Sequence, residues 1–343
     1  MASVGQHDAQ DDHLKGSASE VTMRAIVQHR YGSAGALHLE QVPRPEIADN
    51  EVLVQVHAAG LSRGTWHLMT GRPYVMRLAL GFRGPKEPVI GQDLAGTVVG
   101  VGSAATRFSI GDEVFGIGQG SFAEYAPARE DKLARKPANV TFEQAASVPV
   151  SALTALQGLR DVGRVAPGQK VLIVGASGGV GTFSVQLAKA FGAEVTGVCS
   201  TAKLDLVRSL GADHVVDYTT TDFAQSAHCY DLILDIGGDA SLTRLRRALT
   251  HRGTLVIVGG EQGGSWIGMS RQLRAVALSP LVHQRLATFI ATQNTSDLER
   301  LTDLIETGAV SPTIDRTFRL EQMPDAMRYL EAGHARGKVA IAI

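Results

Sequence analysis

From Met23 onward the apolar and polar positions alternate in short runs closed by glycine or proline: MRAIVQHR, ALHLEQVPRP and EVLVQVHAAG, then DLAGTVVGVG and DEVFGIG. A period of two with such breaks predicts half-buried strands, and glycines every few residues fit the bends of a small barrel-like sheet. The spacing turns helical over 141–163, with a boundary near Ala146. At 171 a different series begins. VLIVGASGGVG leads into TFSVQLAKAF, followed by EVTGVCS (194–200), the helix KLDLVRSL, and the strands HVVDY, DLILDIGG and GTLVIVGG. Strand and helix in alternation predict a parallel sheet. RAVALSPL (274–281) reads as its last strand, RLATFIATQNTSDLERLTDLIETG as a long helix, and KVAIAI as a strand that rejoins the first sheet. The expected division is a polar disordered tail over 1–21, a barrel domain of 22–146 with 287–343, and an inserted α/β domain over 147–286. Ligand should lie in the crevice between the two, at the carboxyl ends of the parallel strands.

The glycines of the 171–181 run have separate tasks. Gly175 permits the sharp turn off the strand, Gly178 lets backbone approach a pyrophosphate, and Gly181 lets helix and strand pack closely. Amides at the helix start, over Ser177, Gly179 and Val180, would face the anion. Asp235 and Gly237 with Gly238, then Val258 and Gly259 with Gly260, end later strands and should flank the same cofactor. The second strand ends at Cys199 and Ser200 with no acid to engage a ribose hydroxyl. Ser200, Thr201 and Lys203 instead offer hydroxyls and an ammonium to a 2′-phosphate, which points to NADPH, although Lys203 also reads as a solvated helix position. Lys338 could reach the pyrophosphate or nicotinamide edge, or lie on the surface.

Length and composition narrow the class. The chain has 343 residues, 44% hydrophobic and 20% charged, with a net charge of -1, which suits a two-domain globular protein and excludes an extended basic nucleic-acid surface. Two cysteines, Cys199 and Cys229, form no disulfide framework and suit a reducing cytoplasm. The first 21 residues lack the apolar run of a secretory signal, and no apolar stretch is long enough to span a bilayer.

GLSRGTWHLMTG (60–71), PVIGQDLAGTVVGVG (88–102), FSIGDEVFGIGQGSFAEYA (108–126), AASVPVSALTAL (145–156), VLIVGASGGVG, LGADHVVDY (210–218) and GKVAIAI together resemble the medium-chain dehydrogenase/reductase superfamily, and within it the zinc-independent quinone oxidoreductases. The resemblance implies a Rossmann doubly wound parallel sheet inserted in a GroES-like β-barrel domain, and a homodimer joined through the nucleotide domain. Tyr218 matches a tyrosine that NADPH-dependent relatives use beside the 2′-phosphate. Zinc-dependent relatives hold the catalytic metal with Cys, His and Cys, and the matching positions here are Ser62, Gln92 and Val150. Valine cannot bind a metal, and Ser62 and Gln92 are poor zinc ligands. The four-cysteine structural zinc lobe is absent, and His57, His67 and His214 read as surface or packing residues.

Without zinc, charge on an acceptor oxygen must be met by hydrogen bonds. Ser62 and Gln92 are the candidates, with Arg63 and Thr65 beside them and Tyr74 in the following loop. Enoyl reductases of the superfamily place a proton-donating tyrosine near Tyr74, offset by one residue; an aromatic lid contact is the other reading of this side chain. The long apolar and basic segment 72–88 should shape an entrance. The expected activity is NADPH-dependent reduction of a quinone or α,β-unsaturated carbonyl. An enoyl-thioester reductase, with Arg72, Arg77, Arg83 and Lys86 near a phosphate-bearing carrier, and a non-catalytic NADPH-binding protein are the alternatives.

Overall fold

The computed structural model describes residues 21–225, 229–238, 240–259 and 270–343. Almost all of the 1–21 tail, and Gly260, therefore lie outside the described residues. Two large sheets organise the chain. The first is built on the long strand Glu51–Leu61, whose buried Val52, Val54 and Val56 form the barrel core with Leu94, Val98 and Val114 from its neighbours. Strand Asp93–Val101 runs antiparallel to it with two register shifts, at Leu53/Val54 and Val56/Ala58, and these irregularities bend the sheet toward a barrel. Gly96 allows the close approach, since a Cβ there would lie 2.0 Å from the Gln55 carbonyl oxygen.

The second sheet has six strands in the spatial order His214–Asp217, Glu194–Cys199, Lys170–Val174, Tyr230–Asp235, Leu249–Ile257 and Arg285–Thr288, every pair parallel. The chain starts in the middle, works to one edge and then to the other, so the reversal of direction falls between Lys170–Val174 and Tyr230–Asp235. That is where a doubly wound sheet opens its ligand crevice. Buried Val171, Leu172, Ile173, Leu232, Ile233 and Leu234 show why these strands read as continuous apolar runs: both faces are covered by helices. The final strand Lys338–Ala342 pairs antiparallel with Glu51–Leu61, returning the chain to the first sheet.

The expected strand RAVALSPL is not one. Ser270–Leu278 is an α-helix and Ser279–Leu281 a 3₁₀ turn, and the sixth strand is Arg285–Thr288. Gln272 and Ala275, three residues apart, are the buried positions of that helix, and its Arg, Gln, Leu and Ala content favours a helix over a strand. The helix expected over 285–308 is correspondingly shorter, Thr295–Glu306, and starts at Asn294, whose side chain accepts the Asp297 N–H.

Candidate functional site

The turn after strand Lys170–Val174 is built by its glycines. Gly175 has φ +90°, the left-handed region that glycine occupies without strain, and a Cβ there would come within 2.9 Å of the Gly237 nitrogen. A Cβ on Gly181 would stand 2.1 Å from the Gly175 carbonyl oxygen, so helix Gly179–Ala190 packs against the turn only because that atom is missing. Around Gly178, the N-cap of this helix, the nearest atom to a built Cβ is 3.6 Å away. The space in front of Ser177, Gly178, Gly179 and Val180 is thus kept open at a helix start, whose first amides have no partner within the helix and whose dipole favours an anion. These residues fit a pyrophosphate.

The neighbouring strand ends close the wall beside it. The amides of Ile236 and Gly237 both donate to the Val174 carbonyl at 3.0 Å, and those of Val258 and Gly259 to the Asp235 carbonyl at 2.9 and 3.2 Å. Gly175, Gly237, Val258 and Gly259 are therefore brought together as backbone. The Asp235 side chain faces inward: it is fully buried and forms an ion pair with Arg271 at 2.6 Å. Arg271 also donates to the Ala240 and Gly259 carbonyls, so it braces the wall, a role the sequence did not disclose because the helix that carries it was read as a strand.

At the other end of the crevice, Ser200 caps the 3₁₀ turn Thr201–Lys203, and Tyr218 stands beside it, 58% exposed, with its N–H donating to the Cys199 carbonyl. A carboxylate is present here after all. Asp217 ends strand His214–Asp217, in register with Cys199, and accepts hydrogen bonds from the hydroxyls of Thr201 and Thr219 and from the Thr219 N–H. The second strand ends without an acid, and Asp217 reaches the same end from the third. These donors hold its pKa below the usual aspartate value, so it stays ionised. Lys203 is neither solvated nor free: its ammonium donates to the carbonyls of Gly333 at 2.9 Å and Ala335 at 2.8 Å, in the loop that leads to the last strand.

On the barrel side, a cavity of about 390 Å³ opens beside Gln92. Leu68, Leu80, Ile90 and Ile117 are among its apolar lining residues, and Arg129 and Lys132 among its charged ones. Segment 79–90 forms one wall, so the long loop does shape a cavity. Ser62 and Tyr74 are not among the lining residues. Ser62, 9% exposed, precedes helix Arg63–Thr70, and Thr65 behind it is buried. Tyr74 is partly buried, with the guanidinium of Arg77 4.7 Å from its ring centre, an aromatic packing contact.

The three positions aligned with a zinc site do not fit one. Val150 offers only its backbone, and its N–H donates to Asp93 Oδ1 at 3.0 Å. Among the described residues, no group of three His, Cys, Asp or Glu side chains could hold a metal ion. His57 contacts Thr97, His67 the Arg72 carbonyl, and His214 Glu194. Lys338 is 1% exposed: its ammonium donates to Ser151 Oγ at 3.1 Å and lies 3.6 Å from Asp93 Oδ2, in a fully buried pair. Asp93 escaped the sequence reading, because one acid in an apolar strand carries no spacing signal.

Comparison with known proteins agrees with this arrangement. Residues 48–138 match the alcohol dehydrogenase GroES-like domain and residues 210–341 a zinc-binding dehydrogenase family. The mouse mitochondrial NAD(P)H oxidoreductase RTN4IP1 is 34% identical, covering 95% of this chain and 91% of its own. The chloroplastic NADPH-dependent alkenal/one oxidoreductase of Arabidopsis thaliana is 35% identical, covering 93% of this chain and 79% of its own. A quinone oxidoreductase from Coxiella burnetii superposes with a TM-score of 0.84 at 30% identity, over 94% of this chain and all of the other. With the parallel nucleotide sheet, the glycine turn and the GroES-like barrel all present in one chain, this protein belongs to the medium-chain dehydrogenase/reductase superfamily, among its quinone oxidoreductase-like members.

Proposed function

We propose that this chain is a zinc-independent, NADPH-dependent reductase of quinones or α,β-unsaturated carbonyls. The observation that carries the reading is the Gln92 side: at the former metal position stands an amide donor opening into an apolar cavity, with Val150 engaged to Asp93. Hydride transfer to a simple carbonyl, or from an alcohol, concentrates negative charge on one oxygen, which a metal offsets well and an amide poorly. A quinone or enone spreads that charge over a conjugated system, so a hydrogen bond from Gln92 suffices. The nicotinamide cofactor supplies the hydride when bound; the protein orients it and excludes water. Tyr74 serves as lid. Two relatives named as alkenal/one oxidoreductase and quinone oxidoreductase support this acceptor class.

NADPH over NADH rests on Ser200 and the exposed Tyr218 beside the adenosine ribose, the Lys203 ammonium being held by the Gly333 and Ala335 carbonyls, and on the NADPH complex of a mycobacterial neighbour at 26% identity. Asp217 opposes it, but its oxygens are already engaged by Thr201 and Thr219. The protein acts on small molecules, as a homodimer; its two cysteines, neither of them in a disulfide, suit a reducing compartment, the cytoplasm in this reading. The test is a panel run with NADPH and NADH against 1,4-benzoquinone, methyl vinyl ketone and an enoyl thioester, with alcohols in reverse and with a zinc chelator added. The expected result is chelator-resistant quinone or enone reduction preferring NADPH. Alcohol turnover above both, or abolition by the chelator, overturns it.

A further inference from the structure

The charge pair Asp93–Lys338 lies below the pyrophosphate turn and has no part yet in the chemistry described. Lys338 opens the last strand and runs along the turn: a Cβ on Gly179 would meet Lys338 Cδ at 2.9 Å, and the adjoining Gly337 N–H donates to the Ser177 carbonyl at 2.9 Å. Its ammonium then turns away from solvent to Ser151 and Asp93. A cation buried beside the start of helix Gly179–Ala190 adds to the positive end of that helix, an arrangement unfavourable until an anion is near. Among the described residues, Asp93 is the only countercharge in contact with it. Of the elements packed on Asp93, the others contribute Gly60, Ile117, Val150 and Ser151, none titratable.

We propose that Asp93 and Lys338 tune dinucleotide affinity as a pair, the pyrophosphate and the Asp93 carboxylate competing for one buried cation across the Ser177–Gly179 turn. The proposal rests on the nicotinamide-cofactor reading above and adds to it a residue, Asp93, that touches no ligand. Its consequence is an asymmetry. Removing the cation removes an attraction, while removing the carboxylate leaves the cation wholly to the ligand, so the two substitutions act in opposite directions. Burial pushes the Asp93 pKa up to about 6, against the opposing pull of Lys338 and the Val150 amide, and depresses that of Lys338. A dianion arriving above the pair raises the Asp93 value further, so binding near pH 6 to 7 should take up a proton.

The experiment is calorimetric titration of the full chain with NADPH and NADH. Lys338→Met should weaken both by about tenfold or more, Asp93→Asn should tighten both by about threefold or more, and Lys338→Arg should bind within about threefold of wild type. Titrations of the wild type in buffers of different ionisation enthalpy at pH 6.5 should show proton uptake, absent from Asp93→Asn; this measurement needs no variant to detect the uptake itself. Asp93→Asn and Lys338→Met weakening affinity together is what a merely structural pair gives, and it overturns the proposal, as does binding without proton uptake. If the wild type binds neither dinucleotide, the cofactor reading fails first and the pair's role with it.

Discussion

Gly178 and Gly181 stand three residues apart in one turn, yet a methyl group added to each meets different surroundings. At Gly181 it would lie 2.1 Å from the Gly175 carbonyl oxygen, a backbone atom that cannot rotate away. At Gly178, with φ -85°, its nearest neighbour is that same oxygen at 3.6 Å, an ordinary contact. Gly181→Ala should therefore cost about 2 to 3 kcal/mol of stability, the overpacking range, seen as a lowered denaturant midpoint. Gly178→Ala should leave stability within about 0.5 kcal/mol while weakening NADPH by about tenfold or more, because the methyl occupies the pyrophosphate's place. Equal stability losses in the two variants would contradict the division of labour between them. The turn at Gly175 and the close packing at Gly181 were legible in the sequence because glycine reports backbone requirements directly. The charged partners were not. Asp93 and Lys338 are 245 residues apart in sequence, and Asp217 reaches the ribose end from a strand whose neighbour is fixed only by the sheet order.

At the scale of elements, the loop 72–88 is held by one side chain. Arg77 donates to the carbonyls of Gly71 at 3.0 Å and Thr70 at 3.2 Å, the last turn of helix Arg63–Thr70, and lies over the rings of Tyr31 and Tyr74 at 4.5 and 4.7 Å. Tyr31 in turn donates to the Gly81 carbonyl at 2.8 Å, so the clasp ties the first half of the segment to helix Arg63–Thr70 and to Tyr31. Arg77→Ala should lower stability by about 1 to 2 kcal/mol and raise the acceptor KM several-fold, since Ala79 and Leu80 line the cavity beside Gln92. The cofactor KM should not change, because the clasp touches no part of the nucleotide sheet. Steady-state kinetics with each substrate varied in turn decides it; a matching rise in the cofactor KM would show that the loop acts on the whole crevice. The same scale shows why patterning misread 270–288. RAVALSPL is apolar enough for a strand, but only alternate-face burial would make it one, and the structure buries Gln272 and Ala275 on a helical stripe instead. The true edge strand, Arg285–Thr288, is four residues long, too short to separate from the apolar run that follows it.

At the scale of the whole molecule, that correction moves the surface on which two copies should meet. The two sheets are already fastened within one chain, by Gln186 exchanging hydrogen bonds with the Ser311 backbone, by Lys203 on the Gly333 and Ala335 carbonyls, and by Gly337 on Ser177. Among the described residues, the outer edge of Arg285–Thr288, one of the two edge strands of the parallel sheet, pairs with no further strand, although the Leu286 N–H donates to Ser279 Oγ. A short strand edge alone is tolerated, but here exposed apolar side chains flank it: Leu281 is 80% and Ile290 89% exposed, with Leu273 and Val276 half-exposed on the adjacent helix. A second copy related by a twofold axis would satisfy the edge antiparallel to itself and cover those side chains with their own equivalents, which is the self-complementary form that a symmetric dimer requires. Light scattering at micromolar concentration should give twice the 36.3 kDa chain mass, and Leu281→Arg should shift it toward the monomer while NADPH binding persists, because the edge lies away from the glycine turn. A wild-type protein of single-chain mass with cofactor present would show that the edge is protected in some other way, and a dimer indifferent to Leu281→Arg would place the contact elsewhere.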